Sequence, residues 1–284
     1  MIQSLKQIKT RIRSTENTKR VTQAMELISV AKLNRIEKGM LSLRPYVAKL
    51  GSLIQGLINS QEIGMSSFSE PNLATDKICL CVITSDSGLC GAYNNNIIRL
   101  AEEFISKRSL ENINLVCIGR KGFNYFRRKN LNILHTYMGM NGRYTQEIAG
   151  GITDKLVDIF VSGKAREVYI AYTHFKTALI HKPMVEKFLN IERIPQKETE
   201  YILEPDKQAI LDEIFPKYIC MKLKLIILEA FTAEHSARTV AMKTATDNAG
   251  DLLQSLVLWR NKVRQANITR EITEIISSSE ALKG

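Results

Sequence analysis

Apolar positions near the start of the chain recur in alternating steps of three and four: Leu33, Ile36, Met40, Leu43, Val47, Leu50, Ile54 and Leu57. That is a heptad seam, the pattern of one helix wrapping on another. Run backwards, the register reaches Ile12, Ile8 and Leu5 but crosses Thr15, Lys19, Thr22, Glu26 and Ser29, which are poor coiled-coil core residues. Over this stretch the apolar stripe moves to Val21, Met25 and Ile28. The segment is expected either to face something other than its helical partner or to turn as it goes. Pro45 invites a kink just before it, since a proline inside a helix costs about 3 kcal/mol.

The far end of the chain repeats the theme. Pro216 suits a helix start, and the pattern then runs to about Ile276 with Gly250 as its one glycine. Its opening is strongly apolar (Leu223, Leu225, Ile226, Ile227, Leu228). Its middle, 233–250, is rich in Ala, Thr and Ser, and its end returns to apolar spacing at Ile268, Ile272, Ile275 and Leu282. Small residues let helices approach closely. Two terminal helices far longer than the ~11–12 residues of an average helix most simply pair antiparallel.

Between them the period changes. Residues 78–84, 115–118 and 168–172 are continuous apolar runs, which fit strands covered on both faces. Helical stretches at 95–107, 123–129 and 146–161 separate them, so the middle reads as an open, Rossmann-like α/β domain. Residues 197–205 read as a loop or edge strand. The fold class is therefore α/β: two long terminal helices forming an antiparallel coiled coil, with an inserted α/β domain. Its parts are 1–57, 77–195 and 216–284.

Composition narrows the class. The 284 residues are 44% hydrophobic and 24% charged, ordinary for a globular chain. No run approaches the ~18 apolar residues of a membrane span, and the first residues lack the apolar stretch of a secretory signal. The five cysteines (79, 81, 90, 117 and 220) are odd in number without Cys-x-x-Cys spacing, which fits buried reduced thiols. Lys and Arg exceed Asp and Glu by 40 to 29, and residues 1–50 alone carry eleven bases against three acids. A basic helix suits nucleic-acid phosphates or acidic protein loops. With Tyr46 its one aromatic, the protein partner is favoured and nucleic acid is not expected.

Two turns could carry chemistry. Thr84-Ser85-Asp86-Ser87-Gly88-Leu89-Cys90-Gly91 follows a strand and precedes a helix, the place where phosphates bind, but it lacks the first fingerprint glycine and any Gly-Lys-Ser/Thr. Gly119-Arg120-Lys121-Gly122 is placed similarly. Both are read as structural turns, with Asp86 or Ser87 bonding to backbone groups. His135, His174, His181 and His235 form no metal pair. No catalytic, cofactor or metal site assembles, and the chain reads as non-catalytic. The competing readings are a phosphate-dependent enzyme using the Gly88 and Gly119 turns, and a basic coiled-coil nucleic-acid binder.

Several segments resemble the gamma subunit of F-type ATP synthases. They are Ile8-Lys9-Thr10-Arg11-Ile12 with Asn17-Thr18, Ala24-Met25 and Ala31-Lys32-Leu33; then Ser85-Asp86-Ser87-Gly88-Leu89-Cys90-Gly91 with Asn94-Asn95-Asn96. The most specific are Ala241-Met242-Lys243-x-Ala245-Thr246-Asp247-Asn248-Ala249 and Arg264-Gln265-Ala266-x-Ile268-Thr269-x-Glu271-Ile272-x-Glu274-Ile275. The resemblance implies a central rotor shaft, held in a hexamer of alpha and beta subunits and resting through its α/β foot on a membrane c-ring beside epsilon. It would couple ion flow, expected to be of protons, to ATP synthesis or hydrolysis, as a peripheral subunit on the cytoplasmic face of the inner membrane. By the same resemblance Met25, Arg264 and Gln265 contact beta subunits, and Ile268, Ile272 and Ile275 form an apolar bearing tip. No cofactor is implied. Departures are Ser87, where many members carry Arg and a charged contact is expected to be missing, and Ser278, Ser279 and Glu280 in the tail. The chloroplast regulatory insertion has no counterpart, so thiol control is not expected.

Overall fold

A computed structural model describes residues 5–59, 75–108, 110–140, 142, 146–178, 180–191 and 207–281. Leu282, the 192–195 end of the α/β part and the 197–205 segment lie outside the described residues. The elements in order are α1 (Leu5–Asn59), β1 (Ile78–Ile83), α2 (Tyr93–Ser106), β2 (Ile113–Ile118), α3 (Arg120–Arg127), β3 (Asn132–Tyr137), α4 (Gln146–Val161), β4 (Glu167–Phe175), β5 (His181–Leu189) and α5 (Lys207–Ala281). They form two compact units, one of Ser29–Arg238 and one of Met1–Ile28 with Thr239–Gly284.

The larger unit is built on a five-stranded sheet of order β3-β2-β1-β4-β5, parallel except for β5, which runs antiparallel to β4. The continuous apolar runs are explained by this position. Alternate residues of β1 point to opposite faces, so Leu80 and Val82 join α2 and α3 residues such as Ile97, Ala101 and Phe126. Cys79, Cys81 and Ile83 instead join α1, α4 and α5 on the other face, through Met40, Ile54, Leu156, Phe160, Phe215 and Leu223. Burial pushes the Cys79 and Cys117 thiols up to about 12. All five cysteines are free; four are buried, and Cys220 departs from expectation in being only half-buried.

The antiparallel pairing of the long helices is visible within each unit. In the larger one Arg44 meets Glu229, and a Cβ on Gly51 would touch Tyr218 further down α5. In the smaller one the Thr246 hydroxyl donates to that of Thr22 at 2.8 Å, and Ile8 and Ile12 cluster with Leu256.

Two sequence expectations need correction. α5 begins at Lys207, and Pro216 lies inside it. Leu211, Phe215, Ile219 and Leu223 are all essentially buried, one every four residues. Each such burial stabilises by about 1.5–3 kcal/mol, enough to outweigh a proline costing about 3. Pro45 is likewise carried within α1. Nor does the seam of α1 turn. Thr22 and Ser29 are buried in the original register, whereas Val21 and Ile28 are both 58% exposed. A polar seam lies on one face, and the displaced apolar stripe faces away from it.

Candidate functional site

The two glycine turns meet at the ends of β1 and β2, and they bond mainly to each other. Gly119 has φ +92, and a Cβ there would lie 2.1 Å from the Thr84 carbonyl oxygen, so only glycine fits this crossing. The Gly122 N–H donates to Thr84 Oγ1 at 2.9 Å and the Lys121 N–H to the Ser85 carbonyl at 3.1 Å. The Arg120 and Gly139 N–H groups both donate to Asp86 Oδ1, at 3.2 and 3.0 Å. A carboxylate of the chain itself thus sits where a helix N-terminus would otherwise receive a phosphate. Asn94 Oδ1 accepts from the Ser85 N–H at 3.0 Å, closing the turn. This is the structural turn that the sequence suggested, with Asp86 as its hydrogen-bonding residue.

The turn is also fastened to α5. Arg238 donates to the Ser87 carbonyl at 3.2 Å, to Ser87 Oγ at 3.1 Å and to the Gly88 carbonyl at 3.3 Å. It pairs with buried Glu234 at 2.8 Å. Burial raises the Glu234 carboxyl, against the pull of Arg238. His235 is pushed down to about 3, by burial first and then by the Arg238 charge. Nearby the Tyr93 hydroxyl donates to the Ala230 carbonyl at 3.0 Å. Ser87 is thus held as acceptor by an arginine of the same chain, a contact distinct from the one that an arginine at position 87 would make.

A second polar knot joins α1, β4 and α5. Glu229, with its side chain 5% exposed, accepts from Arg44 at 2.8 Å through one oxygen and lies 2.6 Å from His174 Nδ1 through the other. Arg44 also donates to the Phe175 carbonyl at 2.9 Å. His174, which the sequence gave no role, thus joins this knot, and His235 accepts at Nδ1 from Arg238 Nη1 at 3.2 Å. Among the described residues no group of three or more His, Cys, Asp or Glu could hold a metal ion.

The residues carried by resemblance lie in the smaller unit. Met25 is half-buried on α1; Arg264 and Gln265 are exposed on α5. Ile268, Ile272 and Ile275 share one face of α5 and are 46%, 51% and 68% exposed. Thr22 and Thr246 mark the level of Met25, and Arg264 lies eighteen residues beyond Thr246, roughly 27 Å along the helix. The structure does not bring Met25 and Arg264 together; they belong to two separate surfaces. No described helix is long and apolar enough to cross a membrane.

Comparison with known proteins bears on these surfaces. A family model described as ATP synthase matches residues 4–282. A chain from Geotalea uraniireducens named ATP synthase gamma chain is 37% identical over 287 residues, covering 99% of each chain. One of the same name from Geobacter metallireducens is 38% identical over 288 residues, again covering 99% of both. Among solved structures, a chain of the Euglena gracilis mitochondrial ATP synthase (OSCP/F1/c-ring) aligns at a TM-score of 0.69 and 15% identity, covering 98% of this chain and 94% of that one. A chain of the Tetrahymena thermophila mitochondrial ATP synthase central stalk and c-ring aligns at 0.62 and 20% identity, covering 79% and 99%. These last two show the fold.

Proposed function

The chain belongs to the ATP synthase gamma chain family, and from that premise we propose that it is the central rotor shaft of an F-type ATP synthase. It couples transmembrane ion flow to ATP synthesis or hydrolysis and has no active site of its own. The observation that carries this is the similarity to gamma chains over 99% of the length. In this reading α1 and α5 form the shaft, and the α/β part between them, 77–195, the foot. The alpha and beta subunits surround the shaft; epsilon and the c-ring meet the foot. The subunit is peripheral, and its place is the cytoplasmic face of the inner membrane.

The physical work of a shaft is to favour different beta-subunit conformations in turn by offering each a different surface. Three features support that use. The half-buried Met25 shares a face of α1 with exposed Val21 and Ile28. Arg264 and Gln265 are exposed polar groups suited to a beta-subunit loop. The isoleucines at 268, 272 and 275 give undirected apolar contact, which permits rotation in a collar.

Co-purification tests the reading. A tag within the α/β foot should recover alpha and beta chains in excess over this chain, with Mg-ATP hydrolysis in the eluate. Recovery of this chain alone from a gentle lysate would overturn it.

A further inference from the structure

Three residues of α5 that bond to the β4–β5 hairpin recur seven positions apart. Lys222 bridges Glu186 of β5 at 2.7 Å. Glu229 lies 2.6 Å from His174 Nδ1 of β4. Ser236 donates to the Ala178 carbonyl, in the turn between the two strands, at 2.6 Å. Seven residues are two turns of helix and about 10 Å of rise, with a drift around the axis of only ~20° per step. The three bonds therefore run as a polar seam down one side of α5 and along the hairpin.

Neighbouring groups reinforce the seam. The Tyr172 hydroxyl donates to Glu186 at 3.0 Å and so helps to fix the carboxylate that Lys222 meets. At the middle level Arg44 of α1 donates to Glu229 at 2.8 Å and to the Phe175 carbonyl at 2.9 Å, which ties both long helices to one point of β4. The seam is sheltered: the Lys222 and Glu229 side chains are 18% and 5% exposed, and Ser236 is buried. A cleft of about 470 Å³ beside it is lined by Arg44, His174, Glu186, Lys222 and Glu229 among others. Each of these five is paired within the chain, so the arrangement serves the chain itself and not a ligand.

Apolar contact is non-directional, and a helix can slide or turn against it at little cost. A hydrogen bond weakens steeply once its angle is lost, and charge pairs sheltered from water interact more strongly than those in solvent. A seam of directed bonds thus resists twist where apolar packing alone would yield. Its chemistry is the inverse of that at Ile268, Ile272 and Ile275, where undirected contact suits rotation.

We propose that Lys222, Glu229 and Ser236 key α5 to the foot against twist, with Arg44 bringing α1 into the same lock, so that rotation applied to the foot reaches the shaft helices without slip. The inference rests on the shaft reading above and assigns positioning residues to its coupling step.

The test uses the assembled ATP synthase reconstituted in vesicles, with ATP hydrolysis and the ATP-driven membrane potential measured on the same preparation. Lys222→Glu sets like charges against each other at Glu186, and Glu186→Lys does the same at Lys222; the double variant restores attraction. Each single variant, and Glu229→Gln, should keep hydrolysis but lose membrane potential per ATP hydrolysed, and the double variant should recover most of that loss. Should Lys222→Glu fail to assemble, Lys222→Gln removes the pair without repulsion and is read in the same way. Ile226→Val trims a buried apolar side chain at the same cleft; it should lower the melting temperature and leave the ratio of potential to hydrolysis unchanged. An unchanged ratio in the charge variants, no recovery in the double variant, or an equal loss in Ile226→Val would overturn the proposal. A parent chain that forms no ATP-hydrolysing complex would overturn the shaft reading itself, whereas a coupled parent with equally coupled variants overturns this inference alone.

Discussion

The unit of Ser29–Arg238 and the unit of Met1–Ile28 with Thr239–Gly284 spend their apolar residues in opposite ways. The first buries them on both faces of a sheet and adds buried polar knots at Glu229 and Arg238. The second has a cluster of three buried residues, Ile8, Ile12 and Leu256, while Val21, Leu27, Ile28, Leu258, Ile268, Ile272 and Ile275 remain in solvent. Large apolar side chains gathered along exposed helix faces mark contact surfaces. The comparison separates what keeps the chain folded from what it offers to others.

The largest effect should come from cutting into the first unit. Phe126 is fully buried, and Phe126→Ala should cost about 3–5 kcal/mol, read as a lower urea midpoint. Gly119→Ala should follow at about 3 kcal/mol, because it combines a positive φ with a clash against the Thr84 backbone. If it melted like the parent, the crossing of the two turns would not be the constraint described.

An intermediate effect is expected from pH. His235 is held neutral in the fold, with its pKa lowered to about 3. The unfolded chain therefore binds the extra proton first on acidification. Its contribution is complete above pH ~6.5 and is lost as pH falls from there towards 3, at up to about 1.4 kcal/mol per pH unit. Glu234, whose carboxyl is raised by burial, acts with the opposite sign: its contribution is lost as pH rises through the carboxylate range. The informative quantity is therefore the difference from His235→Asn, measured as urea midpoints at pH 7.5 and 5. The parent should lose more stability between these two conditions than the variant; parallel slopes would remove His235 from the account.

The smallest effect on folding should come from the exposed tip. Ile268→Ser, Ile272→Ser and Ile275→Ser together should move the melting of the isolated chain by no more than about 0.5 kcal/mol per site. The same variants should impair coupling between ion flow and ATP turnover in reconstituted vesicles. A large loss of intrinsic stability would place these residues in a core and erase the contrast between the units.

Legibility in the sequence followed the same contrast. The central strands could be read because burial on both faces leaves no polar interruption in β1, and in β2 none after Asn114. The edge strands could not. β3 carries exposed Asn132 and Thr136, and β5 contains Lys182, Pro183 and Lys187, tolerable only where one side of the strand is unpaired. Of α5, the apolar opening at 223–228 was legible but its start was not, since Pro216 read as a boundary while Leu211 and Phe215 anchor the preceding turns. The Glu229 knot joins residues 185 apart, and no spacing rule reaches that far. The contact residues Met25, Arg264 and Gln265 came from family resemblance alone, because an exposed polar or half-buried position carries no periodic signal of its own.

Hydrogen exchange over residues 264–281 tests the central claim most directly, measured on the chain alone and on the chain assembled with alpha and beta subunits. The account predicts fast exchange in the isolated chain, where this part of α5 is exposed almost all round, and strong protection in the assembly. Equal exchange in both states would contradict it, because a shaft whose tip gains no partner could not bear on the hexamer.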